Sequence, residues 1–192
     1  MVGLAAGRLG PCGPEGGREA DPAFSWKKLE SAELVMFKGG PAEIDKAFRE
    51  GQGQYVHQQG PFPQQLQADG VGHIVAQVGK QIGLCGFSSL AATREWLGTD
   101  TAKAFMRAYR KTRVYMTSAP AAEIAKAEKS YFPKIDEQVL ADCIATYQQL
   151  GCWTPHVDIT REAYERTLDV FEYNGLVKRR YRYDQVCAMP PA

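Results

Sequence analysis

The chain is 192 residues long, with 23 basic and 22 acidic side chains and a formal net charge of +1. That length suits about one ordinary domain with a real core, and the near-balance of charge excludes a global field that would favour nucleic acid or an anionic membrane surface. Five cysteines without a CxxC pair exclude a disulfide framework, and the single metal-like spacing, Cys152 with His156, lacks the second pair of ligands that a zinc site needs.

In chain order, the first stretch, MVGLAAGRLGPCGPEGGREADP, breaks with glycine and proline where a secretory signal requires a continuous apolar segment. It is expected to be a flexible leader, assigned here to residues 1–30, because so little apolar surface cannot offset the entropy of ordering it. SAELVMF then suits a short strand ended by Gly39 and Gly40. PAEIDKAFREG reads as a helix, with Pro41 at its first position, acidic Glu43 and Asp45 in its first turn and glycine as its stop. QYVHQ alternates like a strand, as does GHIVAQVG, with Ile74, Ala76 and Val78 expected on one face and Val75 and Gln77 on the other. LCGFSSLAA is expected to be a further strand running into a helix near Thr93.

From there the pattern is helical. TDTAKAFMRAYRKTRVYM sets Ala102, Phe105, Met106, Tyr109 and Val114 or Arg113 along one stripe, with Lys103, Arg107, Arg110 and Lys111 opposite. Pro120 opens AAEIAKAEKSYF, which must end before Pro133. DEQVLADCIATYQQLG takes Asp136 as N-cap, Val139, Leu140, Cys143, Ile144 and Tyr147 as its core face, and Gly151 as its stop. TREAYERTLDVFEYNG is capped by Thr160, packs through Tyr164, Leu168 and Phe171, and stops at Asn174-Gly175. The basic cluster Lys178, Arg179, Arg180 and Arg182 reads as a solvated helix end.

Few motifs carry chemistry. Gly39-Gly40-Pro41 leads into a helix whose free N–H groups could hold an anion, but it matches neither GxGxxG nor GxxxxGK[ST], and a plain strand-to-helix turn explains it as well. Ser88 and Ser89 in GFSSLAA do not form a GxSxG elbow. Asp45, Glu50 and Asp69 lie on helix faces and in turns and form no acid–base pair. Alternation in Gln54-Tyr55-Val56-His57-Gln58 puts Tyr55 and His57 on one strand face. That face lies where the strand leaves its sheet at Gly60-Pro61, a position that suits a ligand cleft as well as a plain sheet rim.

Taken together, GGPAEIDKAFREGQGQYVHQQGPFPQQL, GHIVAQVGKQIG, GFSSLAATREWL, TAKAFMRAYRKTRVYMTSAPAAEIA, YFPKIDEQVLADCIATYQQLGCW and ITREAYERTLDVFEYNGLVKRRYRYDQV resemble the later half of the substrate-binding proteins of nitrate/sulfonate/taurine-type ABC importers and their thiamine-pyrimidine-binding relatives. The resemblance implies an α/β, periplasmic-binding-protein-like type II fold, incomplete, with a mixed sheet and a helix-rich C-terminal half. Residues 31–60 would form a partial second lobe and crossover, and residues 61–192 the C-terminal part of the first lobe. It further implies a small polar or anionic solute held without catalysis, metal or cofactor, an ABC permease as partner, and a periplasmic location, where the leader alone would suggest the cytoplasm. Carried over onto this chain, Gly39, Gly40, Tyr55, His57, Gln58, Gln59 and Ser88 become ligand-facing candidates, and Gly60 and Pro61 a hinge. A lobe with half its sheet missing would expose apolar surface, so a homodimer or a non-binding interaction module is the competing expectation. A related enzyme branch makes the thiamine pyrimidine with pyridoxal phosphate, and the cysteine-rich CCCFC motif that marks it does not occur in this sequence.

Overall fold

Pro41 fixes the first turn of a helix and Phe48 closes its apolar face, so α1 forms over Pro41–Arg49 and buries Phe48 almost completely. These coordinates come from a computed structural model, which describes Gly3–Gly7 and residues 39–192 except Asn174. Three strands, β1 (Gly3–Gly7), β2 (Tyr55–Gln59) and β3 (His73–Gln77), form one sheet in the order β2-β1-β3. Among the described residues both pairings are antiparallel. Gly3–Gly7, within the stretch read as a leader, is thus the central strand, its backbone donors and acceptors shared between two neighbours. The rest of that stretch and the expected SAELVMF strand lie outside the described residues.

Between β2 and β3 the chain forms α2 (Phe62–Ala68). Proline within the first turn costs no helical hydrogen bond, so Pro61 and Pro63 start this helix instead of breaking it. Phe48, Val56 and Leu66 form a first core, flanked by Ile44 and Val71, that lies between α1, α2 and one face of the sheet. Arg49 ties the two helices from outside, reaching Asp45 and Asp69 at 2.7 Å each.

β3 departs from simple alternation. A bulge between Ala5 and Ala6 pairs Ile74 with Ala6 and Ala76 with Ala5, so the two side chains expected to share a face fall on opposite ones. Val78 leaves the strand altogether and opens α3 (Val78–Ile82). The expected LCGFSSLAA strand does not form: residues 84–92 are irregular, and the Gly86 N–H bonds to Ala163 O and Thr167 Oγ1 of a later helix instead of to a sheet neighbour.

The second half follows the helical reading closely. Thr93 caps α4 (Arg94–Leu97) and Thr99 caps α5 (Asp100–Ser118). Ala102 and Met106 of α5 are buried, and Arg113, not Val114, continues the packed stripe by donating to Thr154 O at 2.8 Å. After α6 (Ala121–Glu128) and a short 3-10 turn, Asp136 accepts the Gln138 N–H and starts α7 (Glu137–Gln149). Gly151, at φ +65°, ends it in the left-handed region that glycine adopts freely. Ile124 and Ala125 of α6 pack on Leu140, Ala141 and Ile144 of α7 as a second core. Thr160 caps α8 (Arg161–Tyr173), and a last turn, α9 (Tyr183–Val186), follows. The basic cluster ends no helix: it lies beyond α8, and Arg180 folds back onto Glu165, Asp169 and Glu172.

Candidate functional site

The strand β2 sorts its residues by face. Val56 and Gln58 are buried, while Tyr55, His57 and Gln59 are exposed, as period-two alternation requires of a sheet covered on one side. Tyr55 keeps 69% of its surface open. The register sets Gly7 between Tyr55 and His73, and Ala5 between His57 and Ala76. The open face therefore carries a tyrosine, two imidazoles and the Gln59 amide along the two strands that flank β1. His73 was missed as a site residue because its place depends on pairing to β1, which no local pattern signals.

The electrostatics of this face favour hydrogen bonding over charge. His57 is exposed by area, yet surrounding protein desolvates its ring enough to lower its pKa below the ordinary histidine value. The imidazole is then neutral at pH 7 and offers one donor and one acceptor.

The other predicted site residues do not join it. Gln58 points into the covered side, where its Nε2 donates to Pro41 O at 2.8 Å and fastens the start of α1 to the sheet. Gly39 and Gly40 lie at that helix start, and the Gly40 N–H donates to the carboxylate of Glu43, so the anion-facing position is filled by the chain's own side chain. Ser88 is exposed in the irregular segment that docks on α8, next to Phe87, which meets Phe171 edge-on. Alternation and a satisfied helix start thus divide the seven candidates among three places.

Gly60 and Pro61 connect β2 to α2. Pro61 is buried, the bond between them is cis, and the Gly60 N–H donates to the phenolic oxygen of Tyr147 on α7 at 3.0 Å. A Cβ at Gly60 would collide with Cys143 Sγ and lie 2.9 Å from Tyr147 Oη, so only glycine lets the turn seat this closely. Burial pushes both the Cys143 thiol and the Tyr147 phenol up to about 12.

An open depression of about 450 Å³ lies elsewhere, lined by Gln65, Lys129 and the 133–137 turn, and none of the predicted site residues borders it. It is wide open, and its lining holds no aromatic ring or imidazole of the kind the sheet presents. Among the described residues no three His, Cys, Asp or Glu side chains gather to hold a metal ion, and no helix is long and apolar enough to cross a membrane.

Comparison with known proteins adds one relative. The chain is 26% identical over 147 residues to the Bacillus subtilis (strain 168) protein named "Putative binding protein YtlA". The match covers 76% of this chain and 44% of the relative, so the chain spans less than half of that protein's length. No protein-family model matches the chain, and no solved structure matches it.

Proposed function

We propose that the chain binds a small polar solute on the open face of its sheet, through Tyr55, His57 and Gln59, as the solute-capturing component of an ABC importer of the nitrate/sulfonate/thiamine-precursor type. One observation carries the reading. β2 buries Val56 and Gln58 in a firm core while it holds an aromatic ring, a neutral imidazole and an amide out to solvent on the opposite side. A rigid strand presenting a π face beside donors and acceptors is a suitable reader of a planar polar solute. The printed name of the Bacillus subtilis relative and the element-by-element resemblance to importer binding proteins support the same class. In this reading the chain holds its solute unchanged on the periplasmic side and passes it to the permease.

A thermal-shift panel of sulfonates, aromatic carboxylates and aminopyrimidines tests the proposal. A solute present at 100 times its dissociation constant stabilises the folded protein by about 2.7 kcal/mol, and Tyr55→Ala abolishes that gain. A folded protein that no class stabilises would refute solute binding.

One feature favours a second reading, an interaction module. Val114 and Tyr115, neighbours on α5, the longest helix described, are both exposed. A homodimer burying them elutes at twice the monomer mass in size exclusion at micromolar concentration, whereas a compact monomer removes this reading.

A further inference from the structure

The geometry points to a conformational device at the contact of α2 with α7: the joint between the sheet half and the helical half is built to open locally, and the Gln64 amide is the group that keeps its closed state shallow. Among the described residues this contact is the most extensive packing of an element from the sheet half on one from the helical half. On either side of it lie two separate cores, Phe48, Val56 and Leu66 in one and the α6–α7 cluster in the other. A small rotation at the joint leaves both intact.

Two opposed influences meet there. Tyr147 closes the joint by accepting the Gly60 N–H at 3.0 Å. Gln64 opposes it. Its side chain is only 5% exposed as a residue, and neither its Nε2 nor its Oε1 finds a hydrogen-bond partner among the described residues. Its Oε1 faces the same spot, 3.3 Å from where a Gly60 Cβ would stand and alongside Cys143 and Tyr147. A primary amide has two donors and an acceptor with two lone pairs, and burying them unpaired costs free energy that hydration restores as the joint opens. The closed state therefore carries a penalty that the open state lacks. This inference does not rest on the solute-binding reading.

Cys143, buried at the same spot, reports the opening. Its thiol is pushed up to about 12 by burial, so it reacts slowly while the joint is closed. The experiment is native-state alkylation with iodoacetamide, resolved residue by residue by mass spectrometry, on the wild type, Gln64→Met and Tyr147→Phe. Half-buried Cys187 near the C-terminus is the internal reference. Methionine keeps an unbranched side chain of similar volume without the amide. Cys143 labelling slows about tenfold in Gln64→Met and accelerates about tenfold in Tyr147→Phe, the change that one buried polar imbalance produces in an opening equilibrium. Cys187 stays within about twofold throughout, because the opening is local. Equal or faster Cys143 labelling in Gln64→Met overturns the proposal. So does a rise in Cys187 labelling that keeps step with Cys143 in Tyr147→Phe, which would mark global unfolding, and this second variant decides the matter if the first does not fold.

Discussion

The phenolic oxygen of Tyr147 and the backbone N–H of Gly60, 87 positions apart in the sequence, form a hydrogen bond of 3.0 Å that ties the exit of β2 to α7. Gly60→Ala places a methyl group against Cys143 Sγ at this joint. The expected cost is about 1–3 kcal/mol, the usual range for overpacking a core, read as a lower urea midpoint at unchanged slope. Combining it with Cys143→Ala, which removes the obstructing sulfur, recovers part of that loss. A purely additive double variant would show that the two residues do not press on each other.

Alkaline pH weakens the same joint. Cys143 and Tyr147 have folded-state pKa values raised above their ordinary ones, chiefly by burial. The folded protein therefore retains protons that the unfolded chain gives up, and the stability they contribute is complete below about pH 9 and declines as pH rises toward 12. For Cys143 the loss is on the order of 2 kcal/mol by about pH 11. Urea unfolding of Cys143→Ala across pH 8 to 11 has a shallower decline than the wild type, and parallel curves would contradict the assignment.

Position, not hydrophobicity, decides what an apolar truncation costs. Leu66 is fully buried between the sheet and its helices, and Leu66→Ala costs about 2–5 kcal/mol through lost transfer energy and the cavity left behind. Val114 is 53% exposed on α5, and Val114→Ala changes stability by less than about 0.5 kcal/mol. Chemical denaturation of the pair separates a core residue from a helix-surface one.

Glu43 completes the start of α1 by accepting the Gly40 N–H, close to the positive end of the helix dipole. Glu43→Ala costs about 1 kcal/mol. Glu43→Gln, which keeps an acceptor but no charge, costs less. Equal losses would assign the whole effect to charge.

The helical half was the more legible part of the sequence because its signals are local. Asp136, Thr160 and Gly151 mark starts and stops within a few residues of the elements they control. Alternation in β2 was equally local, and it identified the Tyr55–His57 face. What the sequence hid depends on distant partners. Prolines that normally break helices start α2, and a bulge against β1 separates Ile74 from Ala76. Gly86 bonds to α8 where a strand neighbour was expected. Gln58, by contrast, follows the local alternation to the covered side with Val56, where it donates to Pro41 O.

Isothermal titration of the best solute from the panel into the wild type, Tyr55→Ala, His57→Gln and Ser88→Ala tests the central claim most directly. Binding at the open sheet face predicts affinity lost by at least about tenfold, or about 1.4 kcal/mol, in Tyr55→Ala and reduced in His57→Gln, with Ser88→Ala unchanged. Wild-type affinity in both β2 variants would contradict it.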